Sequence, residues 1–176
     1  MAATEIFEKK YGLNPEADAA ELRYCLCETP LGLMRMVEDA HGIASLKFVE
    51  GAADPGHSAP AGVYFEEAKR QLLEYFSGKR RTFDVPLSIY GSNFQKKVWS
   101  VLQSIPYGET RTYQQVAQMA GDPKAARAVG MANNRNPLHI LIPCHRVIGK
   151  SGRLTGYAGG IEKKQYLLDL EKNETS

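Results

Sequence analysis

The sequence has little of what would carry a chain out of the cytosol or hold it together covalently. Three cysteines, Cys25, Cys27 and Cys144, are too few and too unevenly spaced for a disulfide framework. No apolar run approaches the roughly 20 residues of a membrane span. The opening residues Met1 to Lys10 lack the apolar core of a secretory leader. A reducing home, the cytoplasm or else the nucleus, is therefore expected, with no membrane partner. The chain also lacks a phosphate-binding loop, a zinc-deaminase signature and a cluster of metal ligands, so none of those chemistries is suggested. Cys25 and Cys27 would share one face of a strand, where ordinary packing competes with a metal pair. A zinc site there would need two further, well-spaced ligands that the sequence does not offer.

Charge of one sign is scarce overall, with a net of +2, but the balance is uneven. Residues 1–90 hold 10 Lys+Arg and 14 Asp+Glu, whereas residues 91–176 hold 12 and 6. A basic half suits a polyanion such as nucleic acid, and a solvated basic face accounts for it as well. At 43% hydrophobic and 24% charged, the 176 residues suit one ordinary domain or two small ones.

Residues 1–21 read as a polar helical extension. Three short apolar runs follow, Leu22–Cys27, Leu33–Glu38 and Ile43–Val49, separated by turn residues at Thr29–Gly32 and Asp39–Gly42. They predict an antiparallel meander. A Gly/Ala/Pro/Ser loop at 51–62 precedes a helix striped by Phe65, Ala68, Leu72 and Phe76, stopped at Ser77-Gly78. The expected divisions are an N-terminal α/β domain over 22–84, a linker over 85–91 and a second domain over 92–172.

In the second half, Ser92 with Gln95 and Thr112 with Gln115 both fit capping boxes. The first opens a helix striped by Phe94, Val98, Leu102 and Ile105; the second opens a helix running through Ala120. Gly121 stops that helix, and Asp122-Pro123 predicts an N-cap with proline at the first position of a third helix, Lys124–Asn133. Two helices joined by so short a turn read as a helix-turn-helix. The second is lined by Ala125, Ala126, Ala128, Gly130 and Ala132, with Arg127 as its long basic side chain. Such a surface suits close approach to a nucleic-acid groove, or tight packing inside the protein. A last helix is expected from Ile161 to Glu171, followed by a disordered tail from Asn173.

The apolar run Ile140–Ile142 ends at Pro143, and Cys144, His145 and Arg146 follow. Cys144 is either a small buried hydrophobe or a nucleophile, whose pKa the adjacent cationic groups would lower. The loop Thr155-Gly156-Tyr157-Ala158-Gly159-Gly160 offers backbone N–H groups to a ligand. A duplex-binding helix beside a reactive thiol suggests chemistry on a base taken out of the stack. Arg127 would then fill the gap and the glycine loop would close over the base.

Pro143-Cys144-His145-Arg146-Val147 resembles the active-site motif of the O6-alkylguanine-DNA alkyltransferases, also called methylated-DNA–protein-cysteine methyltransferases. The resemblance extends through Phe94-Gln95-x-x-Val98-Trp99, Ile105-Pro-Tyr-Gly108, Arg127-Ala-Val-Gly130, Asn136-Pro137 and Gly156-Tyr-Ala-Gly-Gly160, over residues 91–171. It implies an α+β fold: an N-terminal ribonuclease H-like antiparallel sheet with a helix, then a mostly helical, winged helix-turn-helix-like domain. It implies irreversible transfer of an alkyl group from O6 of guanine, and from O4 of thymine, to Cys144 after nucleotide flipping. The protein would act once, as a monomer, on duplex DNA bound through the minor groove.

By the same resemblance, His145 is a general base acting through water and Glu171 orients it. Asn136 braces the turn that carries the thiol. Tyr113 crowds the 3′ phosphate and donates to guanine N3. Arg127 replaces the flipped nucleotide, and Ala126, Ala128, Gly130 and Arg135 join it at the DNA. Carbonyls of Cys144 and Val147 accept from the guanine amino group, the Ala158 N–H donates to O6, and Tyr157 lines the base pocket. Two rival readings are a lesion-binding relative without catalysis, which Cys144 argues against, and a cysteine hydrolase using Cys144 and His145.

Overall fold

The protein is described by a computed structural model over residues 22–49 and 62–174. The polar extension expected at 1–21, nearly all of the loop expected at 51–62 and the last two residues of the tail lie outside the described residues. The chain divides into two compact units, with the boundary between Tyr90 and Gly91.

The first unit is an antiparallel meander with one helix. β1 (Arg23–Thr29), β2 (Gly32–Glu38) and β3 (Ile43–Phe48) pair in the order β1-β2-β3. The β1–β2 turn uses Gly32 at φ 112°, which glycine adopts without strain. Period-two alternation turns Cys25, Cys27, Met34 and Met36 inward, with Cys25 opposite Met36 and Cys27 opposite Met34. Both thiols are buried on this face, and burial pushes the Cys25 thiol up to about 11. Helix α1 (Phe65–Phe76) buries Phe65, Ala68, Gln71, Leu72, Tyr75 and Phe76.

Polar groups buried in this unit fasten loops. The Glu38 carboxylate accepts from the Val63 and Tyr64 N–H groups just before α1, at 2.8 and 2.9 Å. Asp39 accepts from the N–H groups of His41 and Gly42 and from the hydroxyls of Ser88 and Tyr90. The segment expected as a linker at 85–91 is not loose chain. Ile43 N–H donates to the Pro86 carbonyl and Ser88 N–H to the Ile43 carbonyl, both at 2.9 Å, and Val85 is buried.

The second unit is mostly helical. It contains α2 (Asn93–Gln103), β4 (Arg111–Thr112), α3 (Tyr113–Met119), α4 (Ala126–Asn134), a 3-10 turn (Cys144–Arg146), β5 (Val147–Ile148) and α5 (Ile161–Asn173). Both expected capping boxes are present, with Ser92 and Gln95 at α2 and Thr112 and Gln115 at α3. The indole N–H of buried Trp99 on α2 donates to the Ala132 carbonyl on α4 at 2.9 Å. β4 and β5 form a short parallel pair that sets Arg111 opposite Val147, at the end of the 3-10 turn.

Two local expectations need correction. Asp122-Pro123 does not cap α4, which begins at Ala126 without a side-chain cap. The Asp122 carboxylate accepts from Lys124 N–H instead, closing a separate turn, and the Asp122 carbonyl takes the Ala125 N–H. The final helix also runs past its expected end, through Asn173.

Candidate active site

The site is built on a strained turn. The apolar run before Pro143 is buried as expected, but it is folded back on itself. Leu141 N–H bonds the His139 carbonyl and Ile142 N–H bonds the Leu138 carbonyl. Ile140 sits at φ 71°, a left-handed conformation that costs a β-branched residue about 1–3 kcal/mol. The Asn136 amide brackets this turn. Its Oδ1 accepts from Leu138 N–H at 2.9 Å, and its Nδ2 donates to the Ile142 carbonyl at 2.8 Å and the Leu138 carbonyl at 3.4 Å. The chain then passes Pro143 and opens the 3-10 turn at Cys144.

Cys144 is 2% exposed. Burial pushes its thiol up to about 11, against the opposing pull of the Asn136 hydrogen bond and the Lys164 charge. The expected lowering by neighbouring cations is therefore not met in the resting fold. Burial outweighs the Lys164 charge, and the Arg146 guanidinium is engaged with Glu171. A thiol in this state needs a base to become a nucleophile.

A candidate for that base is next in the chain. His145 Nε2 lies 2.7 Å from Glu171 Oε1, and both side chains are buried. Burial lowers the His145 pKa below its usual 6.5, opposed by Glu171 and assisted by Arg146 and Lys164. A neutral imidazole facing a carboxylate carries its proton on Nε2, which leaves Nδ1 as the basic nitrogen.

Glu171 is shared: Arg146 Nε donates to its Oε2 and Arg146 NH2 to its Oε1, each at 2.9 Å, and Gly108 N–H donates to Oε2 at 3.0 Å. The bonds from His145 and then from Arg146 hold its carboxyl far below the ordinary carboxylate range despite burial. The carboxylate thus serves as a fixed negative charge for His145, balanced by Arg146. Arg146 also donates to the Ile105 carbonyl at 2.6 Å.

The remaining expected pocket residues gather around the same turn. The Val147 N–H closes on the Cys144 carbonyl. The Val147 carbonyl accepts from Lys164 Nζ at 2.5 Å, and that ammonium also reaches the Thr155 carbonyl at 3.3 Å. Tyr113, at the start of α3, donates its hydroxyl to the same Thr155 carbonyl at 2.8 Å. Tyr157 is buried, and both burial and the Cys144 charge raise its hydroxyl well above the ordinary tyrosine value. Ala158 is exposed on the glycine loop.

On α4, Arg127, Ala128, Met131 and Arg135 are exposed, while Ala126 and Gly130 are half-buried. An added Cβ at Gly130 would meet the Tyr113 ring at 3.8 Å, ordinary van der Waals contact, so packing within this unit does not demand glycine there.

Four residues of this region escaped the reading of the sequence. Lys164 was hidden in a lysine pair, although Lys164, Leu167 and Glu171 share one buried helical stripe, which marks a lysine at a core position. Arg146 read as an activating cation rather than as the partner of Glu171. Met131, 54% exposed between Arg127 and Arg135, and Asn133, buried at 3%, carry no local signal.

An antiparallel-meander unit is followed by a helical unit that buries Cys144, His145 and Glu171, which defines a class of protein with a thiol beside a histidine and a carboxylate. Family models agree over both units. Residues 22–89 match the 6-O-methylguanine DNA methyltransferase, ribonuclease-like domain, and residues 93–173 match its DNA binding domain. The chain is 48% identical over 151 residues to the methylated-DNA–protein-cysteine methyltransferase of Methanosarcina acetivorans, covering 84% of this chain and 97% of the relative. It is 47% identical over 158 residues to the constitutive enzyme of that name from Bacillus subtilis, covering 85% and 94%. The crystal structure of Mycobacterium tuberculosis O6-methylguanine methyltransferase superposes with a TM-score of 0.79 at 44% identity, covering 87% and 94%. A structure of the Mycobacterium tuberculosis protein in complex with DNA gives 0.77 at the same identity, covering 87% and 93%. The chain belongs to the methylated-DNA–protein-cysteine methyltransferase family.

Proposed function

We propose that this protein repairs DNA by moving a methyl group from O6 of guanine to Cys144, irreversibly and once per molecule. The observation that carries the reading is a buried thiol in one short turn with a neutral histidine whose far nitrogen is held by Glu171.

The chemistry balances as a displacement. The thiol proton leaves through a bridging water to Nδ1 of His145, and Glu171 stabilises the imidazolium that results. Cys144 Sγ bonds the methyl carbon as the carbon–O6 bond breaks, and that electron pair stays on guanine. Tyr113 donates a hydrogen bond to N3, which eases the charge on the departing base, and guanine regains its proton at N1 as the His145 imidazolium gives one back through water. The Ala158 N–H stabilises charge at O6, a contribution commonly worth about 3 kcal/mol per donor. The thioether product has no carbonyl for water to attack, so Cys144 is consumed. No cofactor takes part.

DNA is engaged through the minor groove by α4, with Arg127 in the space of the flipped nucleotide and Ala126, Ala128, Gly130 and Arg135 at the backbone. In the resting fold the Tyr113 hydroxyl is spent on Thr155, so its role toward guanine requires that bond to be exchanged. O4-alkylthymine is a second substrate on this reading, the protein acts as a monomer, and the cytoplasm is its place of work. Residues 22–84 form the first domain and 92–172 the catalytic one. Among the described residues no helix is long and apolar enough to cross a membrane.

The test is incubation with a duplex carrying O6-methylguanine, followed by mass analysis of the Cys144 peptide. One added methyl group is expected; an unmodified peptide after loss of the lesion contradicts the reading. Arg127→Ala should slow repair of duplex lesions more than reaction with free O6-methylguanine base, and equal slowing of both removes the flipping role.

A further inference from the structure

We propose that Asn133 accepts a hydrogen bond from the exocyclic 2-amino group of the extruded guanine and so sets the site's preference among alkylated bases. The inference rests on the reading above, in which the base enters beside Cys144.

Asn133 lies in the last turn of α4, the helix that carries Arg127 and Arg135, yet it is only 3% exposed. Its Nδ2 donates to the Cys144 carbonyl at 3.4 Å. Its Oδ1 is buried and has no hydrogen-bond partner among the described residues. The amide orientation follows from the carbonyl: turned over, Oδ1 would face the Cys144 oxygen, acceptor against acceptor. A buried acceptor without a donor is costly, and its presence calls for a reason.

Its neighbours do not supply that donor. The Asn136 amide is engaged at both ends on the turn backbone. Arg146 is spent on Glu171 and Ile105, and Lys164 on Val147 and Thr155. The Tyr157 hydroxyl is also buried without a partner, but a hydroxyl can rotate to donate or accept, whereas an amide oxygen can only accept.

The lesion's chemistry meets this need. Alkylation at O6 removes the proton from N1, so the 2-amino group is the one hydrogen-bond donor left on the base. In the resting fold the Cys144 carbonyl already accepts from Val147 N–H and Asn133 Nδ2, and the Val147 carbonyl from Lys164 Nζ, so Oδ1 beside them is the acceptor that stands free for the amino group. O4-alkylthymine has no donor on its base and leaves Oδ1 unsatisfied. A site built to bond a substrate N–H discriminates against the analogue that lacks it. Asn133 therefore joins the DNA-reading helix to the nucleophile's backbone and reads the base at the same time.

The experiment compares single-turnover rates of the full-length protein on two duplexes, one carrying O6-methylguanine and one carrying O6-methylhypoxanthine, which lacks only the 2-amino group. The wild-type protein should prefer O6-methylguanine by about ten-fold, the scale of one neutral hydrogen bond. Asn133→Leu should bring the two rates to within about two-fold by slowing the first more than the second. Asn133→Ser, which keeps an acceptor, should keep part of the preference. Equal wild-type rates on the two duplexes overturn the proposal without any variant. Equal slowing of both duplexes by Asn133→Leu also overturns it, leaving a positioning role through Nδ2. Failure of the wild-type protein to demethylate either duplex removes the underlying reading, a result distinct from equal rates.

Discussion

The two units bury polar groups for different ends. In the first, Glu38, Asp39 and Gln71 hold backbone N–H groups of turns and loop ends, and among the described residues no lysine or arginine is buried there. In the second, His145, Arg146, Lys164 and Glu171 are all buried within one unit, and their bonds converge on the turn that begins at Cys144. Buried ion pairs are poor sources of net stability, since desolvation offsets most of the attraction. The contrast teaches that the first unit spends its polar groups on shape, whereas the second tolerates buried charge around the turn where the proposed chemistry takes place.

That contrast can be broken most severely at the thiol. Cys144→Ser should abolish methyl transfer while leaving duplex binding in place, read by lesion assay and by fluorescence anisotropy. Residual transfer would show a second acceptor. Next in size is Glu171→Gln. It leaves Arg146 buried without its anion, which should cost about 3–5 kcal/mol of stability, and it lowers the transfer rate of the molecules that remain folded. Thermal unfolding checks the first effect and single-turnover kinetics the second.

Asp39→Ala sharpens the comparison from the other unit. It strands two backbone and two hydroxyl donors, so about 1–3 kcal/mol of stability should be lost. The transfer rate per folded molecule should not change. A matching loss of rate would mean that the polar groups of the first unit also serve the chemistry.

The smallest effect is expected from mild acid. The His145 pKa is held below 6.5, so its neutral form persists as pH falls through that value, and the transfer rate should stay flat from pH 8 to about 6.5 and fall only below it. Stability follows the carboxylate. Glu171 is depressed in the fold, so its contribution is complete above its unfolded value of 4.5 and is lost as pH drops below that. A rate that halves near pH 7 would show that His145 is charged at rest.

Much of this was legible because it is local. Both capping boxes join residues three apart, and the strand alternation around Cys25, Cys27, Met34 and Met36 reports its own inner face. Asp122 misled because its carboxylate had a nearer donor in Lys124 N–H than the start of α4 could offer. The surroundings of the thiol were not legible because adjacency in sequence says nothing about burial or about where a charge is spent. Arg146 stands two residues from Cys144 yet gives its guanidinium to a carboxylate 25 positions away. The pairing of His145 with Glu171 was carried by resemblance to a family, since no periodicity joins residues 26 apart. Asn133 was invisible because the face it presents depends on how α4 packs.

The central claim is that the buried, base-activated Cys144 acts once and is consumed. It is tested most directly by mixing the protein with an excess of O6-methylguanine duplex and counting lesions removed per protein molecule against methylated Cys144. The account predicts a plateau at one lesion per molecule, with every event matched by one methylated Cys144. Continued removal beyond that plateau, or removal without methylation at Cys144, would contradict it.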